Sequence, residues 1–161
     1  MKPHVLIAGG GIGGLVAALA LLQKGIDVDV YEQAPQLAEL GAGLQLAANG
    51  SRLLIELGLE EKLLPIVCEA AGKEVRIWNT GQSWKLFDLG ADSIERFGAP
   101  YWMVHRGQLH TVLIDAVRAL KPDAIHLNSG ALGYTQDDTG VVLQLANGGT
   151  ARGDVLIGAD G

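Results

Sequence analysis

Val5-Leu6-Ile7-Ala8-Gly9-Gly10-Gly11-Ile12-Gly13-Gly14-Leu15-Val16-Ala17-Ala18-Leu19-Ala20-Leu21-Leu22 is an apolar run, a glycine cluster and a second apolar run in immediate succession. Val5–Ala8 is short and rich in branched residues, which predicts a strand buried on both faces, as in a parallel sheet. Leu15 to Leu22 predicts a buried helix, closed by Lys24 and Gly25. Val28, Val30 and Tyr31 form a second strand, and Glu32 stands at its end. The chain therefore opens as a βαβ unit. Gly9, Gly11 and Gly14 fit G-x-G-x-x-G at the junction of strand and helix. The first glycine permits the tight turn, the second lets the backbone approach a pyrophosphate, and the third lets helix and strand pack closely. The helix N-terminus that follows then offers N–H groups and a positive dipole end to phosphates, so Ile12 and Gly13 join Gly9, Gly11 and Gly14 as candidate cofactor-binding residues. Glu32 follows Gly14 by 18 positions and can accept hydrogen bonds from both hydroxyls of a ribose, while repelling a 2′-phosphate. The reading is dinucleotide binding; the bland alternative is a structural glycine turn with a solvated Glu32.

Downstream, the pattern departs from simple strand–helix alternation. Asn49 or Ser51 can cap a helix carrying Leu53, Leu54 and Leu57, with Gly58 as its stop, and Glu60 to Leu64 predicts one more helical turn. Glu74–Trp78 and Ser83–Leu89 flank a turn and predict a hairpin. Leu109, Val112, Leu113, Ala116, Val117 and Leu120 recur at helical spacing, predicting an amphipathic helix over about 106–120. A strand is expected at Ile125–Leu127. Turn signals at Asp137–Gly140 and Asn147–Gly149 separate strands near 131–136, 141–146 and 151–157, in which Val155-Leu156-Ile157 is again a run expected to be buried on both faces. An NAD-binding Rossmann domain continues as alternating strands and helices. Here hairpins and a β-meander intervene, so the fold class is α/β: a Rossmann-like parallel sheet with an inserted β-hairpin and β-meander.

Composition narrows the partners. With 161 residues, 48% of them hydrophobic and 19% charged, the chain is long enough for one domain with a real core. The net charge of −6, without a basic cluster, makes the chain a poor candidate for nucleic acid or an anionic membrane surface, and neither is expected as a partner. Val5 to Gln23 carries no charge and follows Lys2, as a signal peptide would, but the glycines of Gly9–Gly14 would break such a helix in its middle. The single Cys68 rules out an internal disulfide and a multi-cysteine metal site, and fits a reducing cytoplasm. His105 and His110 are five apart and do not share a helix face, so no metal site is expected. Trp78, Trp84 and Trp102 are expected in the core. Arg106 opens its helix, where the dipole disfavours a cation, so an anionic partner such as a pyrophosphate would account for it. Asp160 follows a strand and precedes Gly161, which places it at the carboxyl edge of a parallel sheet, where ligands bind. Gln45 either donates to a ligand or bonds to local backbone.

Four segments together resemble the class A flavoprotein monooxygenases, the aromatic-ring hydroxylases: Gly9–Gly14 with Glu32; Gly41-Ala42-Gly43-Leu44-Gln45-Leu46-Ala47-Ala48-Asn49; His105-Arg106-Gly107-Gln108-Leu109; and Gly158-Ala159-Asp160-Gly161. The resemblance covers the whole chain. It implies an FAD-binding domain over residues 1–161, of the glutathione-reductase type and incomplete, with Gln45 near the flavin ring and Arg106, Asp160 and Gly161 against the cofactor. It implies an oxidoreductase that takes hydride from NADH or NADPH and, with O2, hydroxylates a small aromatic substrate; apolar surface left exposed where the rest of such an enzyme would pack makes association into a homo-oligomer an expectation. Ala48 stands where the family often has proline. Family members run to over twice this length, with a second Gly-Asp motif and most of a substrate-covering sheet beyond the last segment, so the chain is expected to be the N-terminal fragment of such an enzyme and inactive alone. Rival readings are another flavin oxidoreductase of the same fold and a non-catalytic dinucleotide-binding module.

Overall fold

A computed structural model describes residues 2–37 and 42–161, which form two units. The first comprises the amino-terminal segment and everything from His110 onward. In it β1 (His4–Ala8), β2 (Asp27–Tyr31), β8 (Ile125–His126) and β12 (Val155–Gly158) form a parallel sheet in the order β12-β1-β2-β8. Helix α1 (Ile12–Gln23) links β1 to β2, and Gly25 (φ +67°) follows its C-cap, Lys24. Leu6 and Ile7 point to opposite faces of the central strand and both are fully buried, so both faces are covered, as the apolar run requires. One face carries Leu6 and Tyr31, which pack on Val141, Leu143 and Leu145 of an antiparallel meander. The meander is β9 (Ala131–Asp137), β10 (Gly140–Leu145) and β11 (Thr150–Gly153), in the order β11-β10-β9.

The expected 151–157 strand is two elements. The chain leaves the meander at Gly153, whose absent side chain would meet Leu6 Cγ at 2.7 Å, and Asp154 anchors the change of sheet by donating its N–H to the His4 carbonyl while its carboxylate accepts the His4 N–H. Val155 is 44% exposed and Leu156 and Ile157 are only half-buried, contrary to the fully buried expectation. The reason is topological: among the described residues β12 pairs only with β1 and is an edge strand.

A polar cluster lies on the same sheet face as Leu6 and Tyr31. The Asp29 carboxylate accepts from Lys121 Nζ (3.0 Å) and lies 2.7 Å from His4 Nε2 and 3.0 Å from His126 Nε2, and Lys121 also reaches Asp27 at 2.9 Å. Burial alone would push the Asp29 carboxyl up, but the hydrogen bonds from His126, Lys121 and His4 outweigh it and hold it below its ordinary value. Burial would likewise lower the Lys121 ammonium, and the two aspartates raise it instead.

The second unit, described from Ala42 to Leu109, holds an antiparallel sheet of β3 (Gly43–Leu46), β7 (Trp102–His105) and β4 (Val67–Glu69), in the order β3-β7-β4. It also holds the expected hairpin, β5 (Gly72–Arg76) with β6 (Ser83–Asp88), and three helices: α2 (Ala48–Glu56), α3 (Glu60–Leu63) and α4 (Gly90–Phe97). Neither Asn49 nor Ser51 caps α2. The helix starts at Ala48, so both lie inside it, and the Ser51 hydroxyl donates to the Pro100 carbonyl at 2.5 Å, with the Ala48 carbonyl 3.3 Å away. Gly58 (φ +76°) ends the turn after α2 as expected. Of the tryptophans only Trp102 is core; Trp84 is 46% exposed on the hairpin and Trp78, at its turn, 94%. A two-stranded ribbon has no second layer of its own to bury such side chains. Helix α5 (Arg106–Leu120) follows β7, its first turn in the second unit and its remainder in the first.

Candidate functional site

In the first unit the glycine turn is built by steric necessity. Gly9 has φ +110°, and a Cβ there would lie 2.5 Å from the Ala159 carbonyl oxygen and 2.8 Å from the Asp160 nitrogen. The chain at the end of β12 thus passes so close to the end of β1 that only glycine fits. Gly14 is more crowded: a Cβ would lie 2.0 Å from the Gly9 carbonyl oxygen, so helix α1 packs directly on its own entry loop. Gly11 and Gly13 are the opposite case, with nothing within 4 Å of the missing side chain. Gly11 is the N-cap of α1, which has no side-chain cap and no acidic residue in its first turn. The first N–H groups of a helix have no intrahelical partners, and the dipole places positive charge there. Open space against a positive, uncapped helix start fits an anionic ligand approaching the backbone.

Glu32 closes β2 and its carboxylate is engaged on both oxygens. Oε2 accepts the Gly10 N–H at 2.7 Å and Oε1 accepts the Ala34 N–H at 2.8 Å. A carboxylate offers about four lone-pair directions, so two backbone contacts orient it without exhausting it. Gly10, Gly11, Glu32, Ala34 and Gln36 line a small hollow of about 90 Å³. His110 lines it too, buried at 4% exposure, with Nε2 2.8 Å from the Gly10 carbonyl oxygen. Metal-ligand spacing does not single out this histidine; its signal in the sequence is a polar residue next to Leu109 on an otherwise apolar helix stripe. Asp160 and Gly161 stand exposed just beyond β12, where Ala159 donates its N–H to the Ala8 carbonyl. The structure thus brings Gly9, Gly11, Ile12, Gly13, Gly14, Glu32, Asp160 and Gly161 together at the carboxyl ends of β1, β2 and β12.

Gln45 and Arg106 belong to the second unit. Gln45 lies in β3, opposite Met103, and its Oε1 accepts from the Tyr101 hydroxyl at 2.7 Å. Arg106 opens α5, and its backbone N–H donates to the Ala42 carbonyl, tying the helix start to the beginning of β3. Its side chain is exposed. Gly41 of the family-like segment lies outside the described residues. Among the described residues no group of His, Cys, Asp or Glu has the geometry to hold a metal ion, and no helix is long and apolar enough to cross a membrane.

The family model described as FAD binding domain fits residues 2–161. The chain is 38% identical over 160 residues to 3-amino-4-hydroxybenzoate 2-monooxygenase PtnB3 of Streptomyces platensis, covering 99% of this chain and 40% of that protein. It is 36% identical over 161 residues to 6-hydroxynicotinate 3-monooxygenase of Pseudomonas fluorescens, covering 99% and 41%. Among solved structures, a variant of Klebsiella pneumoniae HpxO complexed with FAD is similar with a TM-score of 0.84 at 29% identity, covering 99% of this chain and 40% of that one. The chain spans about 40% of the length of these relatives.

Proposed function

This chain belongs to the FAD-binding-domain family, and from that premise we propose that its Gly9–Gly14 turn seats the adenosine-diphosphate end of FAD within a flavoprotein monooxygenase. The observation that carries the reading is Glu32: a carboxylate held by the Gly10 and Ala34 N–H groups beside an uncapped helix start and open space at Gly11. Its remaining lone pairs accept from the ribose hydroxyls. The N–H groups at the start of α1, from Gly11 through Ile12 and Gly13, receive the pyrophosphate, and Gly9 and Gly14 keep the turn tight enough to present them. Asp160 and Gly161 meet the cofactor at the carboxyl edge of the sheet, Arg106 supplies positive charge to it, and Gln45 borders the flavin.

For the protein as a whole we assign hydroxylation of a small aromatic substrate, with NADH or NADPH as hydride source and O2 as co-substrate. The support is the chemistry named for the relatives, an aminohydroxybenzoate and a hydroxynicotinate monooxygenase. FAD supplies the redox chemistry when bound; the residues of this chain bind and orient it. Titration with FAD, followed by quenching of flavin fluorescence, should saturate, and NADH- or NADPH-driven oxygen uptake should rise with a suitable hydroxylated aromatic acid. Absence of saturable flavin binding would refute the assignment.

A further inference from the structure

We propose that His110 is the positioning residue of the phosphate-binding turn: its imidazole pins the Gly10 carbonyl so that the Gly11 N–H is presented to the cofactor's pyrophosphate. The inference rests on the FAD reading above. Its starting point is a polar side chain where the helix otherwise buries hydrocarbon. On α5, the neighbouring buried positions are Leu109, Leu113, Ile114, Ala116 and Val117. His110 is as buried as they are, at 4%, and its Nε2 lies 2.8 Å from the Gly10 carbonyl oxygen. A carbonyl oxygen carries no proton, so Nε2 must donate, which fixes the proton on that nitrogen.

Gly10 is then held at both of its peptide groups. Its N–H donates to Glu32 Oε2 at 2.7 Å, and its carbonyl accepts from His110 at 2.8 Å. The peptide between Gly10 and Gly11 is trans. In a trans peptide the C=O and N–H point in opposite directions, so drawing the carbonyl towards His110 turns the Gly11 N–H away from it. Gly11 is the N-cap of α1, and nothing occupies the space at its missing side chain. This N–H is the first donor of the helix start.

The need for such an anchor follows from the glycines themselves. Gly9, Gly10 and Gly11 have more backbone freedom than any other residues, and an unanchored glycine peptide can rotate its donor out of alignment at little cost. Binding then carries the entropy of ordering the turn, which an anchor present before the ligand arrives removes. His110 supplies that anchor from an element 100 residues away in sequence.

The test uses the full protein and three measurements. His110→Phe keeps a ring of similar size and removes the donor; His110→Gln replaces the ring with an open-chain amide whose N–H is able to reach the same carbonyl. We expect His110→Phe to raise the Kd for both FAD and ADP about tenfold or more, and His110→Gln to stay within about threefold of the unsubstituted protein. A residue that only filled space would be served better by phenylalanine than by glutamine, the reverse order. Equal affinities in the two variants, whether both kept or both lost, would overturn the inference and leave the FAD reading standing. Failure of the unsubstituted protein to bind FAD or ADP would overturn the FAD reading, and this inference with it. If His110→Phe does not fold, long-range 15N–1H NMR of the unsubstituted protein still decides: a proton on Nε2 is expected, and the tautomer protonated only on Nδ1 would overturn the proposal.

Discussion

Gly14→Ala and Gly13→Ala make a pair of adjacent, chemically identical substitutions that should act in opposite directions. At Gly14 the added methyl would sit 2.0 Å from the Gly9 carbonyl oxygen, about 1 Å inside the 3.0 Å floor that real Cβ contacts respect. The obstacle is backbone, which cannot rotate aside, so helix and turn must separate. Overpacking of this kind costs about 1–3 kcal/mol, against which alanine returns about 0.5–1 kcal/mol of helix propensity. The net loss, up to about 2.5 kcal/mol, lowers the thermal midpoint by up to about 10 °C for a chain of this length, at 2–4 °C per kcal/mol. At Gly13 the methyl meets nothing within 4 Å, so only the propensity gain remains and the midpoint should rise by about 1–4 °C. Circular dichroism melts of the two variants without ligand read these differences directly. FAD affinity should fall in Gly14→Ala, because the shift moves the donors of the helix start off the pyrophosphate. A Gly14→Ala protein stabilised over its parent as Gly13→Ala is would refute the close packing of α1 on Gly9, and with it the steric account of the glycine spacing.

Three further outcomes follow from the same geometry. Glu32→Ala strips the partners from the Gly10 and Ala34 N–H groups as well as from the ribose, and should weaken FAD binding by about 1–3 kcal/mol in a fluorescence titration; equal affinity would remove Glu32 from the site. Arg106→Ala should weaken FAD binding more at low than at high ionic strength, since screening shrinks the arginine's contribution in the parent; a salt-independent difference would argue for a packing role. Asp29→Asn, at a side chain only 15% exposed, should cost about 2–3 kcal/mol at neutral pH in urea unfolding. Because the folded-state pKa of Asp29 is depressed, its contribution is present above the ordinary value of about 3.9 and disappears as pH falls through the lowered one. Lys121, raised in the folded state, contributes below its ordinary value of about 10.4 and loses that contribution as pH rises through the raised one. A stability difference between parent and Asp29→Asn that persisted unchanged at low pH would sink this account of the cluster.

Sequence alone determined the features whose causes are local. Val5–Ala8 had to be a doubly covered strand because an unbroken apolar run has no face to give to water, and α1 and α5 declare themselves by composition and by the 3.6-residue period of Leu109, Leu113, Val117 and their neighbours. The glycine spacing and Glu32 were readable because a missing Cβ and a single acid at a strand end are properties of individual positions. Tertiary structure alone decided what depends on a distant partner. It put Trp102 in the core and left Trp78 and Trp84 on a hairpin with no second layer. It broke 151–157 at Gly153 and Asp154, because Leu6 and His4 lie there, and made β12 an edge. It used Ser51 to hold the Pro100 carbonyl instead of capping α2, and aimed His110 at Gly10 across 100 residues of chain. Periodicity and propensity report which way a side chain faces within its own element. Which backbone carbonyl lies opposite it is set by how elements far apart in sequence pack together, and no local pattern encodes that.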